Sequence, residues 1–461
     1  MTRNDGGPLF GGAGISSPIE VNVQSSITET LPVSFPDIAG TSSTNNIRIN
    51  GGGNFVAFAS TSTTANKAVI AFTGGDFFRI LNLTIRNTGT VAPWGIWFSN
   101  QSNHNLIENC IIEFSAWNSL VTGHGSTASA YINFSASAAG TNQTTTVHPG
   151  QFDTIRGCTM RTTNTSSPGP TFGINILGSI TLAATTETNN TIERNIIQNF
   201  YVNGIMDWYT NGDRINNNDI SRVNAGTSLP VATHMGIRAE YIYSTNRVLQ
   251  INSNLVHDLP FNGSTISTTS ANPYGIYTIY IYGNSSAQAE VNNNSIYNLR
   301  SLNLFYGMFN WYTFDTRISG NVIRDNASGS TSVSWGMQNW YNTRTKIDNN
   351  FIRDNQPFAN FDAIECFFGS TGTVSGNQIT NNISTTTTSF HNQRGLDIQN
   401  PTNILISRNQ IIGNETRVSS TLWGIEIRNP NNTQTESNLV AKQRSFSTQY
   451  AIYGLNFSGA G

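Results

Sequence analysis

One short pattern recurs through the chain: an apolar residue, Asn three positions on, and a second apolar residue two beyond that. It reads Ile192/Asn195/Ile197, Ile215/Asn218/Ile220, Ile251/Asn254/Val256 and Val291/Asn294/Ile296. It continues as Ile318/Asn321/Ile323, Ile347/Asn350/Ile352, Val374/Asn377/Ile379 and Ile406/Asn409/Ile411, and a last copy has Thr435 ahead of Asn438 and Val440. Upstream the same frame holds Ile80/Leu83/Ile85, Ile107/Cys110/Ile112 and Ile155/Cys158/Met160. Twelve copies between Leu83 and Asn438 are separated by 23 to 48 residues. A repeat of that size cannot bury an apolar face alone and must stack on its neighbours.

A second element precedes most copies: an aromatic or small residue, Gly, then an aliphatic. Examples are Trp94-Gly95-Ile96, Phe172-Gly173-Ile174, Tyr274-Gly275-Ile276, Tyr306-Gly307-Met308, Trp335-Gly336-Met337 and Trp423-Gly424-Ile425. Alternation is of period 2, which is strand, and no segment longer than a turn shows a helical period. Several short strands per repeat, with insertions at equivalent turns, predict an all-β chain: a right-handed parallel β-helix of about twelve coils.

The Asn has two uses at a sharp coil corner. It tolerates the left-handed conformation, and its amide can bond the amide of the next coil in a ladder. Residues 1–70, with Pro18, Pro32, Pro36 and the triple Gly at 51–53, read as an N-terminal cap with irregular first coils, and 71–461 as the β-helix. The Ser/Thr/Ala/Gly-rich stretches 114–150, 161–172, 180–190 and 222–235 read as surface loops. The first residues lack the apolar core of a signal peptide, so the numbering is expected to start at a processed or engineered end. Tyr450–Gly454 opens what looks like a further coil. The chain is therefore expected to be part of a longer protein, or to have its end covered by a partner.

Composition removes several classes. Charged residues are only 11% while Asn numbers 61, and 8 Trp, 15 Tyr and 25 Phe argue against disorder. Net charge is −2 with three lysines, Lys67, Lys346 and Lys442, which leaves no basic footprint for nucleic acid. No apolar run reaches the roughly 18 residues of a membrane span. Three cysteines show neither a disulfide framework nor metal-site spacing; Cys110 and Cys158 should stack inside as free thiols. Scarce charge with abundant Asn and Thr suits a secreted bacterial surface protein.

The stretches Asp37–Gly51 (DIAGTSSTNNIRING) and Phe77–Ile85 (FFRILNLTI) resemble large secreted β-helix proteins of bacteria that use the type IX secretion route. The likeness is closest over residues 30–120 and rests elsewhere on the Asn repeat. It implies a pectate-lyase-like β-helix, export, and display at the cell surface or in the extracellular matrix. The C-terminal sorting domain usual in that group is not seen.

Two constellations stand out from the scaffold. Successive coils carry Tyr209, Tyr241, Tyr280, Tyr312, Tyr341 and Phe368 at one position, preceded in four coils by Trp208, Trp311, Trp340 or Phe367. Neighbours on a strand face opposite ways, so the Tyr set is read as an interior stack. The Trp208, Trp311, Trp340 and Phe367 set is read as an outer rim that either packs or offers ring faces to sugars. Glu365, Asp397 and Glu426 fall at one position on three consecutive coils, about 5 Å apart by strand spacing. Carboxylates that close share a proton, bind a cation such as Ca²⁺, or are neutralised by arginine, and Arg394 and Arg428 are near in sequence. Gly123-His124-Gly125 matches an element of polygalacturonases, but the companion Asn-Thr-Asp, Asp-Asp and Arg-Ile-Lys elements are missing, so the match is read as chance.

These readings converge on a secreted, non-catalytic β-helix protein that binds a polysaccharide or cell-surface glycan through the Trp rim, with Ca²⁺ as the one cofactor in view. The alternative is a polysaccharide-degrading lyase or glycoside hydrolase using Glu365, Asp397 and Glu426. A third is a structural subunit that self-associates end to end.

Overall fold

The structure is a computed structural model. It describes residues 14–115, 124–137, 148–164, 169–222, 233–244, 247–259, 272–386, 391–417, 420–445 and 451–459. Among them every regular element is a strand, and every pairing between named strands is parallel. No helix is long and apolar enough to cross a membrane. The chain divides into two units, one running to Ile220 and the other from Leu229, with Ser221–Val223 in the second. Each unit is a right-handed parallel β-helix built from three sheets.

In the first unit, sheet 1 holds Ile19–Asn22, Ile47–Asn50, Phe78–Leu81, Leu106–Glu108, Thr154–Arg156, Thr191–Glu193 and Arg214–Asn216. Sheet 2 follows each corner, from Ile27–Glu29 to Ile196–Gln198, and sheet 3 runs from Val33–Pro36 to Asn203–Trp208. Register is exact in kind from coil to coil: Ile49, Ile80, Ile107, Ile155, Ile192 and Ile215 form one buried row. β-Branched side chains suit such rows because their restricted rotamers match a pleated surface. Residues 19–73 already form strands in register with the coils that follow. Inside the stretch expected as loop, Ala130–Phe134 is a sheet 3 strand that pairs with Trp94–Ser99 and Phe172–Leu177. Its Ala-Tyr-Ile lacks the Gly that marks the other coils, which hid it.

The second unit repeats this plan, and two of its strands, Ser334–Asp348 and Phe361–Ser375, run for 15 residues from sheet 3 into sheet 1. Its inward rows are aliphatic, for example Ile276, Met308, Met337, Ile364, Leu396 and Ile425.

The repeated Asn is buried at the corner between sheets 1 and 2. In the second unit Asn254, Asn294, Asn321, Asn350, Asn377, Asn409 and Asn438 bond amide to amide at 2.9–3.0 Å. Each Oδ1 also accepts the backbone N–H of the Asn one coil earlier, as from Asn321 to Asn350 at 3.0 Å. The left-handed conformation falls on the residue before the Asn, for example Arg194, Asn217, Ser253, Asn293, Asn349, Arg408 and Ser437. The corner needs one left-handed residue, and the ladder needs the Asn backbone N–H aimed along the stack; one residue does not do both. Cys110 and Cys158 occupy the ladder position in the first unit as buried free thiols, and the Cys158 N–H donates to Asn195 Oδ1 at 2.9 Å.

A second ladder at the far end of sheet 2 joins Asn326, Asn355, Asn382 and Asn414 at 2.8–3.0 Å. It was legible as Asn five residues after Asn321, Asn350, Asn377 and Asn409.

Candidate functional site

Sheet 3 of the second unit carries the candidate site on its outer face. The Gly of each repeat and the aliphatic after it both turn inward. A Cβ on Gly336 would meet Ile352 Cγ2 at 2.9 Å, and Met337 is fully buried in the core. This irregularity resets the alternation, so three positions per coil point outward: the residue before the Gly, the second after it and the fourth after it.

Across coils these positions form three rows. The first is Tyr274, Tyr306, Trp335, Asp362, Arg394 and Trp423. The second is Tyr277, Phe309, Gln338, Glu365, Asp397 and Glu426, and the third is Ile279, Trp311, Trp340, Phe367, Gln399 and Arg428. Aromatic coils thus pass directly into charged ones.

Most aromatic faces are consumed by neighbouring coils. Tyr274 stacks on Tyr306 at 4.3 Å and Tyr306 on Trp335 at 4.8 Å. Tyr277 stacks on Phe309 at 5.1 Å and meets Tyr274 edge-on. The third row is different. Its members do not stack on one another. Trp311 meets Phe309 edge-on at 6.2 Å and stacks on Tyr312 of its own coil at 5.4 Å, and Phe367 meets Tyr341 edge-on at 4.9 Å. No ring of a described residue stacks on Trp340, whose Nε1 donates to Glu365 Oε2 at 3.3 Å. Trp311, Trp340 and Phe367 are half-buried.

The tyrosine set expected inside lies outside. Tyr241, Tyr280, Tyr312 and Tyr341 all have φ near +54° at a corner, and their rings stack coil on coil at 4.7–5.1 Å. A left-handed residue breaks the alternation, so Tyr and the preceding Trp both face outward. Stacking helps offset the strain that a bulky residue carries there. The side chain of Phe368 lies outside the described residues. Trp208 belongs to the first unit and the other three to the second; it stacks on His124 and meets Tyr209 at a tilt.

The acidic trio is in register, Glu365 beside Asp397 beside Glu426, and the structure adds Asp362. All four are buried although they face outward, because two arginines lie among them. Arg394 reaches Asp362 at 3.1 Å, Glu426 at 2.7 Å and Asp397 at 3.8 Å. Arg428 pairs with Asp397, its Nε donating at 3.2 Å. Glu365 is held by neutral donors: Gln338 and Gln399, each at 2.7 Å, besides Trp340. Burial pushes the Glu365 carboxyl up, opposed first by Gln338. Burial also raises Asp362, to about 7, against the pull of Arg394. Burial raises Asp397 as well, with Arg394 and Arg428 opposing.

Asp362, Glu365 and Asp397 each bring a carboxylate oxygen within 4.8 Å of the others. A Ca²⁺ ion there would compete with guanidinium groups that already satisfy Asp362 and Asp397. Asp362 was missed in the sequence, where the signal was a break: with Arg394, already noted beside the acidic trio, it interrupts the aromatics that stand at this position in coil after coil.

No protein-family model and no curated protein matches this chain. Among solved structures it is similar to a mutant of a periplasmic alginate epimerase, with 11% identity, a TM-score of 0.40, and 96% of this chain and 84% of that one covered. It is similar to the A-module of a mannuronan C-5 epimerase of Azotobacter vinelandii, with 11% identity, a TM-score of 0.33 and coverage of 90% and 91%. It is also similar to the Dettilon tailspike protein, with 14% identity, a TM-score of 0.37 and coverage of 92% and 62%.

Proposed function

We propose that the protein binds a polysaccharide on the outer face of sheet 3 in the second unit, without cleaving it. The observation that carries this reading is the row Trp311, Trp340 and Phe367, half-buried rings that do not stack on one another from coil to coil, set against Gln399 and Arg428. Sugars are bound by ring faces that cover their C–H surfaces and by planar polar groups that take their hydroxyls. The carboxylates are tied into an arginine network and Asp397 is fully buried, which suits a rigid platform better than a hydrolytic pair open to water. Retention on a panel of plant, algal and bacterial polysaccharides tests it. Trp340→Ala should weaken retention by about tenfold or more, the loss of one aromatic anchor; unchanged retention would refute the assignment.

Cleavage of the bound chain is a second reading, favoured by one observation. Glu365 is a carboxyl raised by burial, free of arginine contacts shorter than those to Gln338 and Gln399, and close to Asp362 and Asp397. A raised acid beside a carboxylate is the arrangement of glycoside cleavage. Release of new reducing ends, lost in Glu365→Gln, would establish it. We also place the protein outside the cytoplasm, at the cell surface by the type IX route, on the resemblance at Asp37–Gly51 and Phe77–Ile85. Labelling of intact cells by antibody checks this.

A further inference from the structure

In the first unit the outer face of sheet 3 is covered. Trp94, Trp97, Phe172 and Trp208 project from it, and Trp94 and Phe172 are buried with Ala128 and Met206. Residues 124–128 lie across these rings. Trp94 Nε1 donates to the Ala128 carbonyl at 3.0 Å. Lys67 donates to the carbonyls of Ser126 at 2.9 Å and Ala128 at 3.2 Å, with its ammonium 3.7 Å from the Trp94 ring centre. His124 is sandwiched between Phe172 at 4.9 Å and Trp208 at 5.0 Å, within 22° of parallel to both.

Beside Phe172, on the same face of sheet 3, polar groups do not pair off. Asn203 is fully buried and neither atom of its amide has a hydrogen-bond partner. Asn175 Oδ1 and Trp208 Nε1 are likewise buried without one. Orphaned groups of this kind are costly and rare in folded proteins. Three of them sharing one aromatic face point to a ligand that supplies donors and acceptors together.

We propose that residues 124–128 form a strap over a second glycan subsite, in which His124 fills the slot between Phe172 and Trp208 that accepts the ring of a neutral sugar residue. Amides and an indole N–H match uncharged hydroxyls, and parallel rings match the C–H faces of a pyranose. Among the described residues the cation at the site, Lys67, is turned to the strap carbonyls, so an anionic group is not what the face is built to hold. The subsite shares no residue with the face in the second unit and stands or falls without it. The strap lowers apparent affinity by the fraction of time it is closed, and a side chain that leaves the slot raises it.

The test is calorimetric titration of the full chain with neutral gluco-, manno-, xylo- and chito-oligosaccharides, in a Trp340→Ala background that silences the second-unit face. Adding His124→Ala should tighten binding of at least one of them by about tenfold or more. Adding Asn203→Leu should then abolish the gain while raising the melting temperature, since it removes an unsatisfied buried amide. In the unmodified chain, the same sugar should speed hydrogen exchange in peptides covering 124–128, a readout that does not depend on His124→Ala folding. Equal affinity with and without His124→Ala in folded protein, a gain that survives Asn203→Leu, or no change in strap exchange would each overturn the proposal. A gain in this background with no effect of Trp340→Ala alone would sustain the strap and sink the second-unit reading.

Discussion

Asn350→Ala should weaken the second unit by about 2–4 kcal/mol, and the ladder shows where that comes from. The amide of Asn350 donates to Asn377 Oδ1 and to the Ile318 carbonyl, both at 3.0 Å. Its oxygen accepts from the Asn321 backbone N–H at 3.0 Å and from Asn321 Nδ2 at 2.9 Å. Truncation leaves the Asn321 N–H buried and unpaired, at about 1–3 kcal/mol, and adds a small cavity. It takes one of two donors from the Ile318 carbonyl, which keeps its partner in the sheet. Asn377 Oδ1 keeps the backbone N–H of Asn350, so damage is confined to one rung. A stacked-coil chain need not unfold in one step, so the assay is hydrogen exchange by mass spectrometry on peptides covering 316–355. Exchange should speed by about 30- to 1000-fold. Thr373→Ala, on the outer surface of the next coil, is the control and should change little. Acceleration under about tenfold, or equal to the control, would show that the ladder contributes no more than surface polarity does.

Acidic residues stand inside a similar ladder in the first unit, where the Asn105 N–H donates to Asp153 at 2.8 Å and the Asp153 N–H to Asn190 at 3.0 Å. Burial raises the Asp153 carboxyl well above its ordinary range. The folded state therefore holds its proton more tightly than the unfolded chain. Its contribution is whole below the unfolded pKa of about 4 and is lost as pH rises through the folded pKa. Asp153→Asn should flatten that fall and raise the melting temperature at pH 7, and a lower melting temperature would contradict the assignment. Arg428 is about a third exposed while Asp397 is fully buried. Arg428→Gln should thus cost roughly 2–3 kcal/mol, less than a fully buried pair. In urea unfolding the double variant Arg428→Gln/Asp397→Asn should recover part of this, and strict additivity would count against the pairing.

What could be read from the residues and what could not divides along the coil axis. Ile318, Asn321 and Ile323 recur with fixed offsets because each must meet its copy one coil away, and such rows leave a period in the sequence. The second ladder obeyed the same rule and was legible as Asn326, Asn355, Asn382 and Asn414. Side-chain direction on sheet 3 was not. It depends on the irregularity after Gly336 and on the left-handed φ of Tyr341, and both are backbone choices that alternation alone does not reveal. Once those are known, Trp340 and Tyr341 both turn outward, and Asp362 joins the acidic set already legible as Glu365, Asp397 and Glu426, beside Arg394 of the next coil. The burial of the carboxylates was hidden for the same reason. A lone carboxylate on an outward strand position reads as solvated, and only the arginines one coil away, Arg394 for Asp362 and Arg428 for Asp397, make it part of a closed network. His124 sits in a segment with no repeat partner. Its sandwich between Phe172 and Trp208 joins residues 48 and 84 positions away, outside any periodic frame. Function on this scaffold is therefore expected where the period breaks, and both candidate faces, at Asp362–Arg394 and under His124, lie at such breaks.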